Sequence, residues 1–215
     1  MKFRVIDAPQ RSPEWFAARA GRLTGSRAAD MLAKIKSGEA AARRDYRLQL
    51  ATERLTSTPQ ENGFVSADMQ RGIDLEATAF AAYEAASGEM CRRTGFICGE
   101  DLMVGCSLDG DIENFRGIIE LKCPKSTTHV SYWKAGAVPP GYLPQVTHNL
   151  WVTGAEFCDF ASFDDRLPAH LHLFKVRVYA KDVDIEGYAA EARKFLAEVD
   201  AEVAALKAMG MEAAA

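Results

Sequence analysis

The chain has 215 residues, of which 48% are apolar and 26% charged. That is room for one domain with a sizeable core, so the chain need not be stapled by disulfides, and the composition argues against general disorder. Net charge is −4, but it is unevenly spread. Residues 1–60 hold 12 Lys+Arg and 6 Asp+Glu, while residues 61–215 hold 14 and 24. Such asymmetry suits a basic DNA-facing lobe on an acidic body, or simply a solvated basic helix face. No apolar run is long enough to span a membrane. The opening MKFRVIDAPQR lacks an apolar signal core, so the expectation is a cytoplasmic protein whose five cysteines stay reduced.

Ser12-Pro13-Glu14-Trp15 predicts a helix start that runs to about Gly21. Thr24-Gly25-Ser26 opens a second helix carrying Ala29, Met31, Leu32 and Ile35, broken at Ser37-Gly38. A third helix is expected over 41–55, a polar loop over 56–63, and a fourth helix over 66–87 with Ile73, Ala77, Phe80 and Tyr83 on one side. Residues 93–99 and 102–108 read as strands, 110–116 as a polar hairpin turn, and 117–123 as a β-branched strand. Helices over 128–136 and 143–152, strands over 158–163 and 172–178, and a final helix over 185–209 complete the chain. The order predicts an α+β or α/β fold: a mixed central sheet flanked by helices, with a helical part (1–90), a sheet-bearing core (91–180) and the last helix forming one unit. No GxGxxG or GxxxxGK[ST] motif supports nucleotide binding.

The residues that carry chemistry are Ser107-Leu108-Asp109-Gly110 and Ile118-Ile119-Glu120-Leu121-Lys122. Strand alternation puts Glu120 and Lys122 on one face, and a hairpin would set Asp109 opposite Glu120. Two carboxylates at that separation suit Mg²⁺, a hard cation that keeps several waters. Lys122 would orient or deprotonate the attacking water, or stabilise charge on phosphate. An exposed hairpin with an ordinary Glu/Lys face is the plainer alternative, since Asp-Gly is a common turn pair. The buried-looking Gly117-Ile118-Ile119 run before the acid argues for the site.

These stretches resemble a known family. Residues 15–26, Arg71-Gly72 through Glu76, GCSLDG (105–110), IELKCPKST (119–127), Tyr142-Leu143-Pro144-Gln145 and residues 150–154 follow, in order and spacing, the phage lambda exonuclease group. These are the YqaJ-type viral recombinases of the PD-(D/E)xK nuclease superfamily; Leu108 stands where the superfamily name has Pro. The resemblance implies a restriction-endonuclease-like core and a Mg²⁺-dependent 5′→3′ exonuclease on linear duplex DNA, with Mn²⁺ as a substitute. By the same resemblance, Asp109, Glu120 and the Leu121 carbonyl hold metal, Glu76 approaches a second ion, and Lys122 and Gln145 are catalytic. Arg19, Ser26 and Ser107 match a pocket for the 5′-phosphate. That chemistry fits, because a guanidinium grips phosphate and Ser26 is expected at a helix N-terminus. Lys36 and Met69 fall where the family separates the terminal base pair. A ring-shaped homotrimer and a single-strand annealing partner are also implied. The rivals are a PD-(D/E)xK endonuclease, which shares the metal centre, and a non-catalytic DNA-binding protein. His148 is expected in the core, and the cysteines lack the grouping of an iron–sulfur site.

Overall fold

The computed structural model describes residues 1–60 and 66–212, with the last three as backbone only. The expected loop over 56–63 therefore lies partly outside the described residues, as does the end of the Ala-rich tail. Nine strands, β1 (Phe3–Ile6), β2 (Leu23–Thr24), β3 (Cys91–Arg92), β4 (Phe96–Gly99), β5 (Val104–Ser107), β6 (Gly110–Ile112), β7 (Gly117–Lys122), β8 (Phe157–Phe163) and β9 (Leu173–Tyr179), are present among them. The helices are α1 (Pro13–Arg19), α2 (Ala28–Met31), α3 (Ala41–Thr56), α4 (Ala67–Ser87), α5 (Ser126–Ala135), α6 (Leu143–Thr153) and α7 (Ile185–Glu212). The mixed α+β architecture holds, with the strands divided between two mixed sheets ordered β1-β4-β5-β2 and β3-β6-β7-β8-β9.

The second sheet explains why β7 reads as an unbroken apolar run. It is covered on both faces, so neither side of the pleat needs polar residues. Ile118, Cys158 and Phe160 pack in one core with Val146 and Leu150 of α6 and Phe195 and Val199 of α7. Ile119, Leu121, Phe157 and Ala161 pack on the opposite face with Ala79, Phe80 and Tyr83 of α4. Burial on this scale contributes roughly 25 cal/mol per Å² of apolar surface and dominates the fold. The buried Asp159 ties α4 to this sheet: Tyr83 donates to it at 2.5 Å and Arg177 at 2.7 and 2.8 Å.

Several expectations are corrected. The turn expected over 110–116 begins as strand: β6 pairs with β7, Gly110 opposite Ile119, and the reversal is confined to residues near Glu113–Phe115, all at positive φ. Asp111, which gave that stretch its polar look, is buried but held by Arg92 at 3.0 and 3.2 Å. The strand expected over 93–99 starts only at Phe96. The second helix is shorter than its apolar pattern suggested, ending at Met31, and Ile35 is exposed. Ser26 sits in a 3₁₀ turn, Gly25–Arg27, rather than at an α-helical N-terminus. β1 has no counterpart in the sequence reading.

The basic N-terminal third is partly neutralised within the molecule. Arg43 pairs with Glu198 and Glu39, Arg47 with Glu202 and Glu39, and Arg54 with Asp200. These pairs clip α3 to α7, so those arginines serve the helix packing rather than an open basic face.

Candidate active site

The site forms where the two sheets meet. The chain leaves β5 at Ser107, turns through Leu108 and Asp109, and enters β6. The Asp109 backbone N–H donates to the Ile119 carbonyl at 3.3 Å. The Asp109 side chain accepts from the Leu121 N–H at 2.6 Å. Asp109 thus lies across from Glu120, one residue before the Gly110–Ile119 pair, as the hairpin reading expects.

Glu120 shares its face of β7 with Ile118, the face covered by α6. It is only 1% exposed, and a buried carboxylate must be hydrogen-bonded. Gln145 donates to Oε1 at 2.6 Å and Asn149 to Oε2 at 3.2 Å. Lys122, two residues along the same face, also donates to Oε1, and its ammonium lies 5.3 Å from the Tyr142 ring centre. Tyr142 and Gln145 both meet this cluster.

Two carboxylates against one ammonium leave the centre electron-rich. Burial, then repulsion from Glu120, pushes the Asp109 acid up to about 7. Burial opposes the charge on Lys122, but Glu120 and Asp109 outweigh it and raise the lysine above its ordinary value. In the metal-free protein these carboxylates hold Lys122 as an ammonium. Among the described residues no three His, Cys, Asp or Glu side chains converge as a ready metal cage. Two fixed hard oxygens beside an open cleft instead fit Mg²⁺, which fills its shell with waters and main-chain oxygens. Glu76 lines the same cleft as Asp109, but its carboxylate is held by Arg93 at 2.5 Å.

The cleft runs between the 7–11 segment, α4 and the end of β7. Its two lobes measure about 450 and 400 Å³. Met69 lines it, half-exposed, beside Lys122. Lys36 does not: it is exposed in the loop between α2 and α3.

The three residues expected at the 5′-phosphate are placed by one aromatic side chain and one turn. Trp15 donates its indole N–H to the Ser107 hydroxyl at 3.0 Å, and the Arg19 guanidinium stacks 4.1 Å from the Trp15 ring centre. Arg19 is buried, so it is not the solvated charge its helical position suggested. Ser26 shares a 3.4 Å contact with Thr24, whose N–H donates to the Tyr46 hydroxyl at 3.1 Å. The neighbouring Gly25 lies against α6, where a Cβ would fall 2.3 Å from Asn149 Oδ1. The Gly25–Arg27 turn and the Glu120 cluster therefore touch through Asn149.

Sequence reasoning missed Asn149. One Asn in an otherwise buried helix carries no periodic signal, and only the Glu120 contact reveals it. His148 is buried as expected. Its Nε2–H donates to the Gly105 carbonyl at 2.9 Å, which leaves Nδ1 to accept from Tyr188 at 2.8 Å. The five cysteines are free.

Comparison with known proteins adds the following. The YqaJ-like viral recombinase domain matches residues 14–156. An alkaline exonuclease from Laribacter hongkongensis (LHK-Exo) is 38% identical, covers 94% of this chain and 99% of its own, and superposes with a TM-score of 0.84. The same protein in complex with dAMP gives the same values. A phage related exonuclease from Haemophilus somnus 129PT, at 13% identity, shares the fold with a TM-score of 0.63 over 87% of this chain and 96% of its own. No curated protein matches the chain. With the family domain matched over most of its length and a full-length relative above 30% identity, the chain belongs to the YqaJ-like viral recombinase family, the lambda exonuclease group.

Proposed function

We propose that this protein is a divalent-metal-dependent 5′→3′ exonuclease on linear double-stranded DNA. It would degrade the 5′-phosphorylated strand and leave a 3′ single-stranded overhang for recombination. The observation that carries the reading is the pairing of the buried Glu120 with the half-buried Asp109, backed by Lys122, with Asp109 and Lys122 facing a cleft. The similarity to an alkaline exonuclease that has been captured with dAMP supports it.

Asp109, Glu120 and the Leu121 carbonyl would hold Mg²⁺, with Mn²⁺ able to replace it and Glu76 approaching a second ion. When bound, the metal supplies an activated water and charge stabilisation for in-line phosphodiester hydrolysis. The chain's own residues do the rest. Gln145 and Asn149 fix the orientation of Glu120, as partners of a metal ligand do. Lys122 places positive charge beside the scissile phosphate. Arg19, Ser26 and Ser107 would bind the 5′-phosphate and so set the end from which digestion starts. Met69 and, more remotely, Lys36 would help separate the terminal base pair. For Glu76 to reach a second ion, its Arg93 contact must open.

We propose further that residues 1–215 act as one nuclease unit in a ring-shaped homotrimer, working in the cytoplasm with a single-strand annealing protein. Among the described residues no helix is long and apolar enough to cross a membrane. The test is reversible chelation: EDTA should stop DNA digestion, added Mg²⁺ should restore it, and Asp109→Ala should remain inactive at any metal concentration. Digestion that persists in EDTA would contradict the reading.

A further inference from the structure

Arg11 stands in a backbone conformation that its side chain does not favour. Pro9, Gln10, Arg11 and Ser12 form a tight turn closed by the Ser12 N–H on the Pro9 carbonyl at 3.0 Å. Its third residue needs positive φ, the signature of a type II turn, where glycine is the usual occupant. Here the position is Arg11, at φ 69°. Nothing local calls for arginine: Ser12 alone caps α1, accepting from the Trp15 N–H at 3.2 Å. An arginine standing where glycine is easier points to a use for its side chain.

The surroundings indicate the use. Arg11 is exposed and lines both lobes of the cleft, sharing each with Asp109 and Glu76. The other cations that line the cleft are engaged: Lys122 with Glu120 and Arg93 with Glu76. The Arg11 side chain makes no ion pair or hydrogen bond among the described residues. A guanidinium held open in a cleft otherwise rich in carboxylates is suited to one kind of ligand, an anion that passes through that cleft.

We propose that Arg11 is a phosphate contact for the DNA strand lying in the cleft beside Asp109, separate from the Arg19 pocket. The inference rests on the nuclease reading above. Its strained turn holds the guanidinium at the cleft rim, where it offsets the repulsion between the carboxylates and the DNA backbone. As a phosphate contact it adds to affinity for any sequence and to the salt dependence of binding.

The experiment measures binding of a fluorescent linear duplex, over a series of salt concentrations, in an Asp109→Asn background that leaves the DNA uncut. Arg11→Gly suits the backbone, so the melting temperature should hold or rise. Its dissociation constant should weaken about three- to tenfold, and the log–log salt slope should fall by about one. Arg11→Asn, which also tolerates positive φ, should do the same, while Arg11→Lys should keep most of the slope. Unchanged affinity and slope in Arg11→Gly would overturn the proposal, as would a parent protein that does not bind duplex DNA. Digestion of DNA by the wild-type enzyme in Mg²⁺ is read in parallel. Its absence would sink the nuclease reading itself, whereas digestion with an unaltered Arg11→Gly slope sinks only the role of Arg11.

Discussion

Gln145 and Asn149 lie one helical turn apart on α6 and donate to different oxygens of Glu120, at 2.6 and 3.2 Å. One helix face thus fixes both lone-pair directions of a candidate metal ligand. Replacing either by Ala frees Glu120 to rotate. The expected loss is about 10- to 100-fold in kcat or metal affinity, the range seen when partners of metal ligands are removed. Isothermal titration with Mn²⁺ alongside kcat and KM checks this, since a purely structural defect would lower the melting temperature without shifting metal affinity.

Gly25 offers an independent route to the same cluster. An added methyl would fall 2.3 Å from Asn149 Oδ1 and 3.3 Å from His148, closer than real contacts allow. Gly25→Ala should therefore displace Asn149 and reproduce the Asn149→Ala loss of metal affinity. Normal affinity in Gly25→Ala, with a well-folded protein by circular dichroism, would uncouple the turn from Glu120.

The Asp109 acid, pushed up to about 7 by burial and by Glu120, works against the fold once ionised. The sign follows from linkage. Between the ordinary value of 3.8 and about 7 the folded state holds the proton more tightly than the unfolded state. Stability of the metal-free protein from this group therefore falls as pH rises through that window. Asp109→Asn should raise the melting temperature in EDTA at pH 8 by several degrees and change it little near pH 4. Scanning calorimetry decides it; a lower melting temperature at pH 8 would mean that Asp109 supports the metal-free fold.

His148 carries the opposite dependence. Burial lowers its pKa from 6.5 to about 4, against the Gly105 carbonyl bond that favours the charged ring. Below 6.5 the unfolded chain takes a proton that the folded state refuses, so stability is lost as pH falls from about 6.5 to about 4. The full effect is about 3 kcal/mol. Denaturant titrations at pH 7.5, 5.5 and 4.5 should show it, and His148→Gln should be flatter across that range. An equal slope in the variant would place the acid lability elsewhere.

Arg19→Ala should remove the preference for a 5′-phosphorylated end. Because Arg19 is buried on Trp15, the change also opens packing, and Arg19→Lys separates the two effects. The lysine keeps charge and stem but not the planar stack. Relative rates on 5′-phosphate and 5′-hydroxyl duplexes give the answer; a preference that survives Arg19→Ala places the phosphate site elsewhere.

Much of this was legible in the sequence because it is periodic or ordered. The stripe of Tyr188, Ala192, Phe195 and Val199 announces α7, and Phe80 and Tyr83 announce the buried side of α4. The Asp109–Glu120–Lys122 spacing announces the candidate site, because strand alternation aligns Glu120 with Lys122 and one hairpin brings Asp109 across from them. What stayed hidden depends on partners far along the chain. β1 is a short strand with two exposed residues, and only pairing with β4 defines it. β6 looked like a turn because the Arg92 that satisfies Asp111 is 19 residues away. The basic lobe looked open because the acids that neutralise it, Glu198, Asp200 and Glu202, lie on α7. Arg11 carried no signal at all, since positive φ at arginine is a property of the turn and not of the composition.

The most direct measurement is Mg²⁺-dependent digestion of one duplex in three forms: linear with 5′-phosphate, linear with 5′-hydroxyl, and covalently closed circular. The account expects rapid loss of the 5′-phosphorylated strand from the first form, slow attack on the second and none on the third. Cutting of the closed circle would contradict it, leaving the Asp109–Glu120–Lys122 centre in an endonuclease and the Arg19 pocket without its role.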